Sequence, residues 1–114
     1  MLDITAIGEI LIDLTQTGVN EARVPVLAAN PGGAPANVAV AAARLGAGTA
    51  FIGKVGADGF GAYLTGVLRE NGVDVSGLRT GEAATTMAIV SVDAAGERDF
   101  RFVRGADADL TCGE

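Results

Sequence analysis

Four residues in the first third of the chain have the chemistry of a small polar binding site. Gly32 and Gly33 open the stretch PGGAPANVAVAAARLG, Asn37 follows in its first predicted helical turn, and Asp13 precedes them. Glycines let a ligand approach the backbone closely, and an Asn amide can donate to one hydroxyl while accepting from another. A carboxylate forms the stronger, charge-assisted hydrogen bonds. The four residues predict a polyol site. The structural alternative is that Gly32 and Gly33 only form a turn, Asn37 only caps the helix and Asp13 only ends a strand.

Two other glycine motifs are excluded by their context. GTAFIGKV, residues 48–55, nearly matches a phosphate-binding loop, but Val55 replaces the Ser or Thr that would bind magnesium and the segment is predicted as a strand. A dinucleotide-binding fingerprint would place G-x-G-x-x-G directly after the first strand. No such pattern follows Asp13. The sequence therefore predicts no nucleotide cradle in these segments.

Charge and composition exclude several classes of function. The net charge of -6, without a basic stripe, argues against nucleic acid or an anionic membrane as a partner. The chain has no histidine and one cysteine, Cys112, which excludes His-based triads, His–zinc sites and a disulfide framework. No segment has the pattern of a leader or a membrane span. We expect a cytoplasmic protein with no metal site.

The order of apolar runs and glycine breaks predicts one α/β domain in 114 residues. Its alternation of strands and helices favours a parallel sheet with right-handed crossovers. Asp13 would lie at the carboxyl end of the first strand, where open α/β sheets bind ligands. The predicted segments are a buried strand over residues 3–13, a turn-like excursion over 18–26, a largely buried helix between Pro35 and Gly46, a strand over 49–55, a helix from Asp58 to 71–72 and a strand over 73–78.

The last part of the chain is predicted to be a hairpin. Strands over residues 86–92 and 99–103 are joined by DAAGER, in which Gly96 takes the position that favours positive φ. Phe100 and Phe102 are two residues apart, so both rings are expected on one face.

Two stretches, GGAPANVAVAAARLG and AFIGKVGADGFG, together resemble the first signature of the ribokinase-like (PfkB) carbohydrate kinases. GEILIDL and GERDFRFVRGADADL extend the resemblance over essentially the whole chain, which within the family is most similar to the fructokinases. The resemblance implies the N-terminal part of an α/β/α sandwich with a mostly parallel sheet and a small β lid, in about residues 14–30 and 85–104. The signature positions are Gly32, Gly33, Pro35, Asn37, Ala39, Gly46 and Gly56.

The resemblance also implies roles for individual residues in binding a small-molecule sugar. Asp13 would bind sugar hydroxyls, Gly32 and Gly33 would bring bare backbone against the sugar, and Asn37 would complete the cradle. These roles agree with the polyol site that the residue types predict.

Two lid residues are implied as further sugar contacts. Phe102 would cover the sugar, and Arg104 would reach its polar end. Val103 stands where fructokinases usually carry a tyrosine, which removes one hydroxyl and leaves the identity of the sugar open.

The implied activity is that of a sugar kinase that uses ATP and Mg²⁺. The leading hypothesis is a fructokinase that converts D-fructose to fructose 6-phosphate; 2-keto-3-deoxygluconate kinase, ribokinase and aminoimidazole riboside kinase are alternatives. A sugar acid favours more cationic lid residues than Arg104 alone, which disfavours the first alternative. A non-catalytic sugar-binding or dimerisation module is the alternative of another class. A homodimer through the lid is expected.

Family members carry the catalytic aspartate, a GAGD-like anion hole and the ATP site in their second half, and this sequence contains no GAGD. Phosphoryl transfer needs a base and electrostatic stabilisation of the γ-phosphate. We therefore expect residues 1–114 to be the sugar-binding half of a kinase, with the C-terminal ATP-binding half absent. We expect no catalytic residue in the chain and no kinase activity from it alone.

Overall fold

The computed structural model describes residues 1–114 as three strands, then helices that alternate with strands, and a hairpin near the end. This order confirms the α/β class that the apolar runs predict. The elements are β1 Ile4–Ile7, β2 Leu11–Val19, β3 Pro25–Gly32, α1 Ala34–Arg44, β4 Thr49–Gly56, α2 Gly59–Glu70, β5 Leu78–Gly81, β6 Met87–Val92, β7 Arg98–Val103 and a short 3-10 helix, Ala106–Asp109.

The strands form two separate sheets. β1, β4 and β5 lie side by side in the order β1-β4-β5, and both pairings are parallel. The other four strands form a sheet in the order β3-β2-β6-β7, in which the hairpins β2–β3 and β6–β7 are joined by a parallel β2–β6 pairing. The segments expected in a lid fall mainly within this four-stranded sheet.

The prediction of one buried strand over residues 3–13 is wrong. The chain leaves the parallel sheet after Ile7 and re-enters as β2 at Leu11 in the other sheet. Gly8 makes the break with φ +145°, a conformation that L side chains rarely adopt. A Cβ at Gly8 would also lie 2.8 Å from Cγ of Pro35, so the approach of α1 requires the glycine as well.

Two other predicted boundaries differ from the structure. The turn predicted over residues 18–26 is shorter, because β2 extends to Val19 and β3 begins at Pro25, and the Asn20 side chain closes the tight turn between them. The strand predicted over 73–78 begins only at its last residue. Asp74 makes a single isolated bridge to Ala50, and its side chain accepts the N–H two residues on, which forms an Asx-turn instead of continuing the strand.

The helix ends follow their predicted signals. Pro35 lies in the first turn of α1, Gly46 follows its C-cap with φ +95°, and the Asp58 side chain caps α2. The prediction that α1 is largely buried is wrong, however. Only one face of α1 packs on the parallel sheet, and Val38 on another face is 54% exposed.

The core lies between the helices and the two sheets. Its centre is aliphatic apart from a single ring, as the low aromatic content predicts. No helix has the length and apolarity that crossing a membrane requires. The fully packed residues are Ile10, Ile12, Ala36, Ala39, Phe51, Val55, Leu64, Leu68 and Val73.

Candidate functional site

Strand register brings Asp13 and Phe102 onto one face of the four-stranded sheet. Asp13 in β2 pairs with Asn30 in β3 and with Ala88 in β6, and Ala88 pairs with Phe102 in β7. Directly paired residues project from the same face of a sheet. A carboxylate and an aromatic ring are therefore separated by one small residue, across two strand spacings or about 10 Å.

Asn30 completes this row and was not identified from the sequence. Its amide lies directly across from Asp13, where paired Cβ atoms are about 5 Å apart. The residue is exposed, so its donor and acceptor face solvent beside the carboxylate. The only signal that could have revealed it is the pairing register, which depends on where both strands begin.

Gly32 makes room for the Asp13 carboxylate. A Cβ at Gly32 would lie 2.5 Å from Oδ2 of Asp13, so any larger residue would displace that side chain. None of the four ion pairs in the chain involves Asp13. The carboxylate lies on the sheet without a charged partner, which suits it to accept hydroxyl groups.

Gly33 and Asn37 lie where the four-stranded sheet leads into α1. Gly33 has φ +100°, and a Cβ there would lie 2.6 Å from the carbonyl oxygen of Glu9. It is the N-cap of α1 and gives the helix no side-chain cap, so the first N–H groups have no side-chain partner. Asn37 is exposed and shares a cleft of about 190 Å³ with Gly32. Gly32 thus borders both the Asp13 carboxylate and the cleft of Asn37.

Arg104 follows β7 and contacts two carboxylates. Its Nη2 lies 2.8 Å from Oδ2 of Asp107, and its Nη1 lies 3.7 Å from Oε2 of Glu9. The Asp107 side chain is only 1% exposed and also accepts the hydroxyl of Thr86. Neither acid was identified from the sequence. Glu9 is distant from Arg104 along the chain, and Asp107 lies beyond the last strand.

Glu9 takes the position that was predicted for Asp13. β1 ends at Ile7, so Glu9 follows the carboxyl end of the first parallel strand after Gly8, whereas Asp13 is the third residue of β2. Asp13 still lies close to Gly32, because β2 pairs with β3 and not because Asp13 ends a strand.

A second polar cluster joins α2 to the segment that enters β6. Oδ1 of Asp58 accepts the Gly61 N–H at 2.8 Å and the Thr85 hydroxyl at 2.7 Å, while Oδ2 accepts the Thr85 N–H at 2.9 Å. Desolvation opposes ionisation of Asp58, but these hydrogen bonds from Thr85 and Gly61 outweigh it and lower the pKa of the carboxyl. From the sequence, Asp58 was identified only as a helix cap.

The largest surface depression lies beside this cluster and away from Asp13. It has a volume of about 700 Å³ and is mainly apolar. Its one carboxylate is already bonded to Thr85 and Gly61. The lining residues are Ala29, Asp58, Gly59, Phe60, Tyr63, Ala84, Thr85 and Met87.

The near match to a phosphate-binding loop is not a nucleotide cradle. Lys54 lies within β4, and its Nζ is 2.7 Å from Oε1 of Glu114 and 3.2 Å from the Asp109 carbonyl oxygen. The hydrogen bond from Lys54 lowers the pKa of Glu114. No three His, Cys, Asp or Glu side chains converge as a metal-binding group. The residues of this chain therefore do not fit the phosphates of ATP at this motif.

Comparison with known proteins finds fructokinases among the proteins that this chain resembles. Fructokinase-1 of Oryza sativa subsp. japonica is 49% identical over 110 residues, covering 94% of this chain and 34% of that protein. A structure of fructokinase with bound ATP from Xylella fastidiosa matches with a TM-score of 0.86 at 41% identity, covering 94% of this chain and 35% of that one. Halothermothrix orenii fructokinase matches with a TM-score of 0.85 at 35% identity, covering 96% and 40%.

These likenesses confirm the resemblance found in the sequence motifs and the ribokinase-like fold. The chain spans about a third of the length of the relatives it matches. The pattern described as pfkB family carbohydrate kinase matches residues 1–113. With nearly every residue inside that match, the chain belongs to the pfkB family of carbohydrate kinases.

Proposed function

We propose that this chain supplies the sugar-binding face of an ATP-dependent fructokinase, which converts D-fructose to fructose 6-phosphate. The observation that carries the proposal is the row in which an unpaired carboxylate, Asp13, and an exposed ring, Phe102, share one sheet face. The similarity to fructokinases of Oryza sativa and Xylella fastidiosa supports fructose as the sugar.

Each proposed contact has a physical basis in the structure. The Asp13 carboxylate accepts two sugar hydroxyls, and bonds to a charged group contribute about 1.5–3 kcal/mol each. Gly32 and Gly33 leave bare backbone beside it, and Asn37 adds an amide from α1. Phe102 is 56% exposed, so its ring is free to close over the sugar from the four-stranded sheet, which serves as the lid.

The phosphoryl donor is proposed to be ATP with Mg²⁺, for which no binding motif was identified in residues 1–114. ATP supplies the phosphoryl group, and the residues described here bind and orient the sugar. A reaction that consumes ATP is consistent with the cytoplasm as the proposed compartment.

A homodimer through the lid is also part of the proposal. β7 lies at the edge of the four-stranded sheet, and all six of its residues are exposed. An exposed edge of this kind can pair with a second copy. Sedimentation of the protein at several concentrations would test this, and a monomer at all of them would contradict it.

Substitution of Asp13 in the full-length protein tests the sugar site directly. Asp13→Ala is expected to abolish sugar phosphorylation while ATP binding survives, because only the hydroxyl acceptor is lost. Asp99→Ala is the matched control: Asp99 lies in the same sheet, next to Phe100 in sequence, and so projects from the opposite face. Unchanged activity of Asp13→Ala would contradict the assigned role.

The sugar is identified by measuring ADP release from the wild-type protein with several substrates. D-Fructose is expected to give the highest kcat/KM among D-fructose, ribose, 2-keto-3-deoxygluconate and aminoimidazole riboside. Residues 1–114 alone are expected to phosphorylate no hexose. A different preferred sugar would replace fructose in the proposal, and no turnover of any sugar by the full-length protein would favour the non-catalytic module.

A further inference from the structure

Three charged side chains, Glu9, Arg104 and Asp107, meet at the end of the four-stranded sheet. The guanidinium of Arg104 is 52% exposed and lies between the two carboxylates, at 2.8 Å from Asp107 and 3.7 Å from Glu9. Asp107 is 1% exposed and is fixed from behind by Thr86, whose hydroxyl oxygen also accepts the Gly105 N–H at 2.9 Å. Asp107 therefore holds Arg104 in place, and Glu9 faces it from the solvent side.

Glu9 connects this charged group to the proposed sugar site. Its carbonyl oxygen lies against Gly33, 2.6 Å from where a Cβ would be, while its carboxylate contacts Arg104. One residue thus touches both the backbone proposed to hold the sugar and the cation proposed to reach its polar end. Arg104 thus lies between two carboxylates, those of Glu9 and Asp107.

We propose that Glu9 determines specificity by compensating the charge of Arg104, so that the site accepts a neutral ketose and rejects a sugar acid. This inference rests on the proposed function. Arg104 is the one cation placed to recognise a substrate carboxylate, and that carboxylate would have to displace Glu9 and then lie among the remaining acids. A neutral sugar has hydroxyls in the same place and meets no such repulsion. Glu9 is the residue for this role, because its carboxylate is 37% exposed and makes the longer contact.

The charge of Glu9 is tested with Glu9→Gln in the full-length protein, using D-fructose and 2-keto-3-deoxygluconate as substrates. We expect the ratio of kcat/KM for the acid to that for fructose to rise by about tenfold, the size of effect expected when one nearby charge is removed from a partly solvated site. Glu70→Gln is the matched control, because Glu70 is exposed at the far end of α2 and forms no ion pair. Its ratio should equal that of the wild type.

If the inference is correct, the rise in the kcat/KM ratio caused by Glu9→Gln depends on Arg104. The double variant Glu9→Gln/Arg104→Gln is expected to lose the increase for the acid, and 0.5 M NaCl should reduce the difference between wild type and Glu9→Gln by screening. An unchanged ratio in Glu9→Gln, or a gain that persists without Arg104, would overturn the inference. If Glu9→Gln does not fold, Glu9→Asp withdraws the carboxylate by one methylene and should raise the ratio in the same direction.

Binding measurements separate this inference from the proposed function. Calorimetric titration of the two sugars into wild type and Glu9→Gln reports the same preference without catalysis. If the wild type phosphorylates neither sugar but the binding ratio shifts toward the acid, the proposed function fails and the role of Glu9 stands. If fructose is phosphorylated and neither ratio shifts, the role of Glu9 fails and the proposed function stands.

Discussion

Asp58 links the start of α2 to the entry of β6, and its removal is expected to destabilise the fold. The carboxylate accepts hydrogen bonds from the Gly61 N–H, the Thr85 N–H and the Thr85 hydroxyl at 2.7–2.9 Å. The Thr85 hydroxyl oxygen in turn accepts the Gly56 N–H at 3.0 Å. A single side chain therefore satisfies donors in α2 and in the segment that enters β6, which are distant in sequence.

The expected loss follows from these donors. Removing an N-cap costs about 1 kcal/mol. Thr85 is 2% exposed, so water does not replace the lost partner of its N–H, and an orphaned buried donor costs about 1–3 kcal/mol. Because Asp58 itself is exposed, the low end of that range applies. We expect Asp58→Ala to lower the free energy of unfolding by about 2 kcal/mol, or the melting temperature by about 10 °C.

The Asp58 contribution should also depend on pH. Its folded pKa is lowered from the ordinary value of 3.8, since the hydrogen bonds from Thr85 and Gly61 outweigh desolvation. The stability that this shift provides is fully present above pH 3.8 and is lost as the pH falls through the folded pKa. The difference in unfolding free energy between wild type and Asp58→Asn should therefore be constant near neutral pH and shrink below about pH 4.

Urea unfolding followed by circular dichroism at pH 7 and at acid pH measures both effects. Asp99→Ala is the matched control, because the Asp99 side chain is 69% exposed and its contact with Arg101 is 3.6 Å long. Its cost should stay below about 0.5 kcal/mol. Hydrogen exchange of the Thr85 amide should accelerate in Asp58→Ala and not in the control. Equal stability of the two variants, or unchanged exchange at Thr85, would refute the reasoning.

Two further substitutions test a tightly packed glycine and a buried hydroxyl group. Gly33→Ala is expected to destabilise the protein by more than about 1 kcal/mol and to weaken sugar binding, because Gly33 has φ +100° and its Cβ would meet the Glu9 carbonyl. Gly18→Ala, which has open space at its Cβ, should cost little, and equal melting temperatures for the two would contradict the prediction. Thr49→Val is expected to stabilise the protein by about 1 kcal/mol in thermal unfolding, since the buried Thr49 hydroxyl has no hydrogen-bond partner. A lower melting temperature for this variant would show that the hydroxyl is satisfied in solution.

Local chemistry was sufficient to predict several elements. Pro35 and Gly46 bound α1, Asp58 begins α2, and Gly96 takes φ +82° in the β6–β7 turn. Each of these signals acts through backbone conformation or a hydrogen bond within a few residues, so one segment contains all the necessary information. The burial of α1 depends on what covers it, and its own apolar composition could not reveal that Val38 is exposed.

The arrangement of the candidate site depends on contacts between distant segments. Asp13 and Gly32 were both identified from the sequence, but their proximity follows from the β2–β3 register. Asn30 joins them through the same register, which residue types alone do not define. A one-residue slip would place each of these side chains on the opposite face.

Gly8 has the largest consequence for interpreting the site. Because apolar residues precede Gly8 and resume at Ile10, the sequence suggests one continuous strand, whereas φ +145° turns the chain out of the parallel sheet. That turn places Glu9, instead of Asp13, after the end of the first strand and within reach of Arg104. It also moves Asp13 into the four-stranded sheet, in the same row as Phe102. The conformation of Gly8 therefore places Asp13 and Glu9 in two different positions. We propose that Asp13 binds the sugar and that Glu9 selects it.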